Sequence, residues 1–453
     1  MNASVLPSTV LLEMFSFYVN RAGADIEAWH TLVHVCRQWR SVVFGSPRRL
    51  NLRLFCTPKR PLNMLDIWPA LPVSVGFLVT GKRPRGMANI VAALKQHHRV
   101  REIELWGIRN SLMKKLAAMK KLFPELTSLK LSSKDASVPI LPDSFLGGSI
   151  PRLHTLNLCG VPFPGLGKLV LPNLVVLDLW SIPRSGYISP EAMVNCLSAL
   201  TALKSFVLGF QSPQSRDSGG TRRPPPHIRV VIAALTTFRF KGNSEYLEDI
   251  VSRIDTPLLD YFDITFFNQL IFDTPLLRHF IGRTEKIKAH YRANVNFDHI
   301  PANIRFSPQG GKDYTECLIL RILCPCIPPD WQLSSLAQFC SSPVPPLSTL
   351  MHLEILSYRR SHWQDNIESS QWLELLYPFT SVKNLVLSDE LFPFVATALQ
   401  ELTGERVTEV LPMLQNIHIE GPQLSNRVME AIRQFIAARQ LSGHPVDIFF
   451  DEV

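Results

Sequence analysis

The chain has 453 residues and a formal net charge of +9, a charge that suits an acidic partner. One hydrophobic core rarely organises so many residues, so we expect several units or an extended repeat array. Hydrophobic residues make up 46% of the chain and charged residues 19%, proportions that exclude an intrinsically disordered protein. We expect no signal peptide and no membrane span, because the start lacks a basic segment and no uncharged apolar run is long enough.

The first 47 residues predict a small unit of short helices. A Leu-Pro pair at 6–7 precedes the apolar run 10–15, and prolines favour the start of a helix. A second apolar face, with steps of three and four residues, extends over 26–43. The Gly-Ser-Pro sequence at 45–47 ends this pattern.

Beyond residue 95 a short pattern, apolar-x-x-apolar-x-apolar, recurs at intervals of about 18 to 40 residues, looser than regular leucine-rich repeats. Weaker copies begin at Leu277 and Cys317. The clear copies begin at Val100, Leu126, Leu153, Leu174, Leu203, Leu235, Leu259, Leu350, Val382 and Leu414. Amphipathic stretches typical of helices lie between many copies. A strand followed by a helix cannot bury its apolar face alone, so successive units must stack.

These patterns predict an α/β fold in which helices cover the outside of a parallel sheet. We expect a small three-helix domain at 1–47, a connecting and capping region at 48–95, and an irregular leucine-rich-repeat-like solenoid at 96–453. The segment 211–229 has almost no apolar content and is rich in Ser, Gly, Arg and Pro. We expect it to be a disordered insert between repeats.

The N-terminal residues resemble a known family. Leu6-Pro7, the apolar run 10–15 and the segment 32–40, which contains Cys-Arg-Gln-Trp, resemble the F-box. The match covers about residues 4–44, and a continuation to about residue 76 is similar to the expanded F-box proteins of mushroom-forming fungi. Two departures stand out: Thr9 replaces an acidic residue, and the stretch from Phe15 to Trp39 is a few residues longer than usual.

The resemblance implies an adaptor without catalytic activity. F-box proteins bind Skp1, which is attached to a cullin-RING ubiquitin ligase, while the remaining chain holds a protein substrate. Such helices would present apolar anchors to a groove on Skp1. The residues that the resemblance places there are Leu6, Pro7, Leu11, Met14, Phe15, Val33, Cys36 and Trp39. Each can instead pack inside the helical domain; both interpretations stay open for Trp39, whereas Leu6 and Pro7 lie at an edge that favours an interface.

A substrate would meet the strand residues that alternate with buried ones, because successive side chains point to opposite faces of a sheet. Trp106 and Trp180 are candidate anchors, although a tryptophan can also cover a neighbouring repeat. Arg239 and Lys241 suit an acidic or phosphorylated target, and a solvated surface is the alternative. Tyr261 is a further candidate on the same face.

Other classes of function lack their motifs. No G-x-S-x-G elbow, P-loop, H-E-x-x-H or dinucleotide fingerprint occurs, so we expect no enzyme and no cofactor. The cysteines at 317, 324, 326 and 340 lack paired C-x2-C spacing, which favours structural thiols over a metal site. Scattered free cysteines in a large chain also favour a reducing compartment, so we expect a cytoplasmic or nuclear location. A repeat scaffold without ligase function is the main alternative. Nucleic-acid binding ranks third, because no interleaved basic and aromatic platform is present.

Overall fold

The computed structural model divides into two compact units, Met1–Ile188 and Ser189–Val453. It describes residues 6–19, 28–57, 71–78, 87–135, 137–213, 228–267, 274–288, 290–297, 301–308, 317–323, 329–341, 347–357, 368–420 and 426–451. Most of the predicted insert, 214–227, lies outside these residues, as do Cys324 and Cys326. The predicted domain boundaries at 47 and 95 stay predictions.

In the first unit, three helices precede the strands. The helices are α1 (Ser8–Val19), α2 (Trp29–Val33), α3 (Arg37–Gly45), α4 (Met87–Lys95) and α5 (Asn110–Ala117). The strands are β1 (Leu54–Cys56), β2 (Val73–Leu78), β3 (Val100–Trp106), β4 (Ser128–Ser132), β5 (Thr155–Cys159) and β6 (Val176–Ile182). No described helix in either unit is long and apolar enough to cross a membrane.

The strands of the first unit pair in parallel with their neighbours in the sequence, from β1 to β6. Leu129, Leu156 and Leu177 occupy one register position on three adjacent strands, and all three are buried. A second leucine of each strand repeats this arrangement two residues later. Fully burying one leucine contributes about 1.5–3 kcal/mol, so stacked copies stabilise one another. The predicted strand pattern is confirmed in this unit.

The second unit contains the remaining elements. Its helices are α6 (Pro190–Ser198), α7 (Ser244–Val251), α8 (Pro275–Arg283), α9 (Pro329–Ser341), α10 (Ser369–Leu376), α11 (Phe392–Gln400) and α12 (Asn426–Leu441). Its strands are β7 (Ser205–Phe210), β8 (Val230–Val231), β9 (Thr237–Gly242), β10 (Ile254–Asp255), β11 (Tyr261–Phe267), β12 (Arg292–Phe297), β13 (Pro301–Ser307), β14 (Cys317–Leu323), β15 (His352–Ser357), β16 (Asn384–Ser388), β17 (Asn416–Glu420) and β18 (Asp447–Asp451).

The main sheet of the second unit is mostly parallel. Strands β7, β9, β11 and β14 pair in parallel, and so do β12, β15, β16, β17 and β18. Between these groups, β13 pairs in antiparallel fashion with both β14 and β12. Only residues 298–300 join β12 to β13, and such a short link cannot make the crossover that a parallel pair needs. The two antiparallel pairs depart from the predicted parallel arrangement.

One weak copy of the repeat pattern is a helix rather than a strand. Leu277 lies in α8, where it is buried together with Phe280 and Ile281. Steps of three and four residues place these side chains on one face of a helix, and Pro275 occupies the first turn. The prediction of a strand at Leu277 is therefore wrong, whereas the copy at Cys317 forms β14.

Aromatic rings form the core behind β7, β9 and β11. The ring of Phe238 stacks on Phe206 and on Phe262, with centroids 5.1 Å apart and planes inclined by 16° in both pairs. Phe280 of α8 meets Phe262 edge to face at 5.6 Å. All four rings are buried, so the sheet and the outer helix share one apolar layer.

Candidate functional site

Helix α1 is apolar on two faces. Leu11, Leu12 and Phe15 are buried in the first unit. The other apolar face, here called the exposed α1 face, consists of Val10 (43% exposed), Met14 (51%), Phe17 (80%) and Tyr18 (44%). Spacings of three, four, seven and eight residues place these four side chains on one side of the helix. A contiguous apolar patch of this kind typically marks an interaction site.

The predicted Skp1 anchors divide between core and surface. Leu11, Phe15 and Val33 are buried, so their side chains pack inside the helical domain. Leu6 and Met14 are exposed on its surface, and Pro7 is exposed as well. The buried anchors therefore shape the helical domain, and the exposed ones are accessible to a partner.

Cys36 caps α3, and Gln38 and Trp39 connect α3 to α1 and to the segment before it. The backbone N–H of Trp39 donates to Sγ of Cys36 at 3.4 Å, which caps the start of α3. The half-buried Trp39 ring packs on Phe15, with centroids 4.7 Å apart. Nε2 of Gln38 donates to the carbonyl oxygen of Leu6 at 3.3 Å, which connects the Leu-Pro segment to α3. The two ends of the N-terminal helical segment are thus held together.

The two candidate tryptophans lie on different strands of the first unit. Trp106 ends β3, and its Nε1 donates to Oε1 of Glu104 on the same strand at 2.8 Å. Trp180 lies on β6, where its carbonyl oxygen accepts from the backbone N–H of Gly160 at 2.8 Å. Both side chains are half-buried. Three strand spacings separate β3 from β6, about 14 Å, so the rings can serve as two separate contact points.

Arginine and lysine side chains converge on one face of the second unit. The basic cluster consists of Arg239 and Lys241 on β9, Arg321 on β14 and Arg305 on β13. The register of these strands places Arg239 and Arg305 in one row, and Lys241 and Arg321 in the next.

Asp263 of β11 lies in the middle of the basic cluster. This carboxylate is 2% exposed and accepts from Nε of Arg239 at 3.2 Å and from a guanidinium N–H of Arg321. The hydroxyl of Tyr261 donates to the same carboxylate at 3.4 Å. Buried charges need such paired and hydrogen-bonded surroundings. Asp263 therefore fixes the orientation of both guanidinium groups.

Two groups beside Asp263 have shifted pKa values. Burial lowers the pKa of Lys241, whose Nζ lies 5.1 Å from the ring centroid of Phe267. Burial raises the pKa of Tyr261, and the charge of Asp263 raises it further. Tyr261 thus keeps its proton at neutral pH and remains a hydrogen-bond donor.

The structure brings together the predicted Arg239, Lys241 and Tyr261 and adds Arg305 and Arg321 to them. The sequence pattern could have identified Arg321, because this residue lies between the apolar Leu320 and Ile322 in the weak copy of the repeat that begins at Cys317. Arg305 gave no such signal, since β13 lies outside the repeat pattern.

Cys317 of β14 and Cys340 of α9 are protonated thiols. Burial raises the pKa of Cys317 to about 11 and the pKa of Cys340 to about 12. Within the described residues, no group of three or more His, Cys, Asp or Glu side chains is arranged to hold a metal ion.

The strand register and the stacked apolar positions give mostly parallel sheets covered by helices, a fold that resembles a leucine-rich-repeat solenoid. The sequence matches no protein-family model and no curated protein. Among solved structures, the chain is similar to the leucine-rich repeat-containing protein LegL7 from Legionella pneumophila, with 12% identity and a TM-score of 0.27. That match covers 84% of this chain and 96% of LegL7.

Proposed function

We propose that this chain is the substrate-recognition adaptor of a Skp1–cullin–F-box ubiquitin ligase. Its N-terminal helices bind Skp1, and its repeats hold a protein substrate. The observation that carries the proposal is the exposed α1 face, a row of apolar side chains on a helix whose other face already packs inside the domain. An amphipathic helix that docks in an apolar groove is a common mode of recognition.

The sequence at both ends of the helical domain supports the same proposal. Leu6-Pro7 and Cys36-Arg37-Gln38-Trp39 resemble the F-box, and the hydrogen bond from Gln38 to Leu6 brings these two segments together. Leu6, Pro7 and Met14 are exposed beside the remaining residues of the exposed α1 face. An interface at this place would bury several apolar anchors at once, as binding hot spots do.

The chain itself supplies no chemistry in this role. An adaptor accelerates ubiquitin transfer by holding its substrate near the charged conjugating enzyme, which raises the effective concentration. Neither a cofactor nor a metal is needed for that contribution. Because these ligases act in the cytoplasm and nucleus, we propose that location for the chain.

Titration of the full-length chain with purified Skp1 tests the proposal. We expect Met14→Ala/Phe17→Ala to weaken binding about 30-fold or more, since hot-spot truncations cost about 2 kcal/mol or more. The matched control is Ile140→Ala/Val170→Ala, which truncates two exposed apolar side chains elsewhere in the same unit. Equal loss in both variants, or no loss in either, would contradict the proposed interface.

A repeat scaffold without ligase function is the second candidate. The observation that favours it is the basic cluster, which lies on strands of the second unit and includes no residue of the helical domain. Failure of the unmodified chain to bind Skp1, while it still captures protein through its repeats, would select this candidate over the first.

A further inference from the structure

The basic cluster combines a high charge with a fixed geometry. Strands β9, β11, β13 and β14 together carry five charged residues: Arg239, Lys241, Asp263, Arg305 and Arg321. Four of these are cations and one is a carboxylate, so the four strands carry a net charge of +3. An excess of this size attracts anionic partners and speeds their association.

The adjoining strands do not cancel this charge. Arg292 of β12 and Glu354 of β15 form an ion pair at 3.4 Å, and Asn294 also donates to Glu354 at 2.8 Å. That pair adds no net charge beside Arg305, which faces Asn294 in the strand register. Among the described strands named here, the net positive charge therefore lies on the basic cluster.

Asp263 bridges two of the cations. One of its oxygens accepts from Arg239 on β9 and the other from Arg321 on β14, so the two guanidinium groups are held in place on either side of β11. The cluster covers four adjacent strands, about 14 Å at the usual strand spacing. A single tetrahedral anion would contact only part of that width. Several carboxylates along an extended chain would reach all of it.

Carboxylates also match the side chains present. An arginine fork binds the two oxygens of a carboxylate in one plane, and three of the four cations are arginines. Lys241 lies over Phe267, which gives the same face an apolar ring for the stem of a glutamate side chain.

We propose that the basic cluster binds an extended segment rich in aspartate and glutamate on the protein that the repeats hold. This inference rests on the proposed function only in that the repeats bind protein. It names the chemical class of the substrate segment, and it involves neither the helical domain nor Skp1.

The probe is a fluorescent ten-residue peptide with glutamate at alternate positions, and its control is the same peptide with glutamine. Binding to the full-length chain is measured by anisotropy at several salt concentrations. We expect the glutamate peptide to bind, its affinity to fall as salt rises, and the glutamine peptide not to bind. A chain that binds both peptides equally, or neither, would overturn the proposal.

Variants locate the site. Lys241→Gln/Arg305→Gln keeps Arg239 and Arg321 on Asp263, and we expect it to weaken peptide binding about tenfold or more. Lys114→Gln/Lys115→Gln removes the same charge from exposed positions on α5 and should change binding little. Lys241→Arg/Arg305→Lys preserves the charge and should retain most of the affinity. An equal loss in both glutamine variants would overturn the proposal, because it would show a general charge effect.

Two further readouts separate this inference from its rivals. Skp1 titrations of the same glutamine variants should match the unmodified chain, so a failure of peptide binding and a failure of the adaptor proposal are distinguishable. A single-stranded oligonucleotide is the third probe. If it binds more tightly than the glutamate peptide and loses that affinity in Lys241→Gln/Arg305→Gln, the site binds nucleic acid and the proposal is wrong.

Discussion

The aromatic rings of Phe15 and Trp39 pack against each other between α1 and α3, with planes inclined by 59°. This contact gives Trp39 a structural role while its side chain stays partly exposed. Helix α1 thus contains one phenylalanine that stabilises the domain, Phe15, and one that does not, Phe17.

We expect Phe15→Ala to lower the free energy of unfolding by about 3–5 kcal/mol, the usual cost of truncating a buried phenylalanine. Phe17→Ala should change it by about 0.5 kcal/mol or less, because that ring is exposed. Chemical denaturation followed by tryptophan fluorescence measures both. Similar values for the two variants would mean that the faces of α1 are assigned wrongly.

Sequence periodicity could not assign those faces. Val10, Leu11, Met14 and Phe15 are all apolar, so apolar residues cover two faces of the helix and hydrophobicity alone does not show which face is buried. The solenoid was easier to predict, because Leu129 and its partners on neighbouring strands alternate with polar residues. One face of each strand is then specified by its own sequence.

The parts that sequence could not predict depend on register between distant strands. Arg239 and Arg305 belong to one row only because β14 and β13 follow β11 in the sheet, an order that reverses part of the chain. Neither β12 nor β13 carries the repeat pattern, so their antiparallel pairing left no signal. The wrong prediction at Leu277 shows a second limit of sequence patterns. Apolar residues three positions apart fit a helix as well as the start of the repeat.

The stability of the second unit should depend on the stack of Phe206, Phe238 and Phe262. Phe238→Ala removes the middle ring from two contacts at 5.1 Å, and we expect a loss of about 3–5 kcal/mol in unfolding free energy. Phe450→Ala, at an exposed position of β18, is the matched control and should change little. Urea titrations compare the two, and a small effect of Phe238→Ala would contradict a shared apolar layer.

The contact between α7 and α8 depends on Glu248. Its buried carboxylate accepts from the backbone N–H groups of Leu276 and Leu277 at 3.2 and 2.5 Å, which satisfies the start of α8. We expect Glu248→Ala to cost about 1–3 kcal/mol, because these buried donors lose their acceptor. Glu245→Ala, an exposed position on α7, should cost little. Amide hydrogen exchange should rise at residues 276 and 277 in the first variant alone.

The buried His290 should make the folding stability of the protein depend on pH. Its ring is buried against Phe306, with centroids 5.5 Å apart, and burial lowers its pKa to about 4. In the unfolded chain the same group takes up its proton near its ordinary pKa of about 6.5. Between these values the unfolded state binds more protons than the folded state, so stability falls as pH drops from about 6.5 towards 4.

The full loss for His290 approaches about 3 kcal/mol at and below pH 4, since each pKa unit corresponds to about 1.4 kcal/mol. Urea titrations at pH 7.5, 6, 5 and 4.5 should show the unmodified chain losing stability relative to His290→Gln, which has no proton to bind at this position. His154→Gln, at an exposed position, should follow the unmodified chain throughout. A constant difference between the unmodified chain and His290→Gln across these pH values would contradict a histidine that is buried in its neutral form.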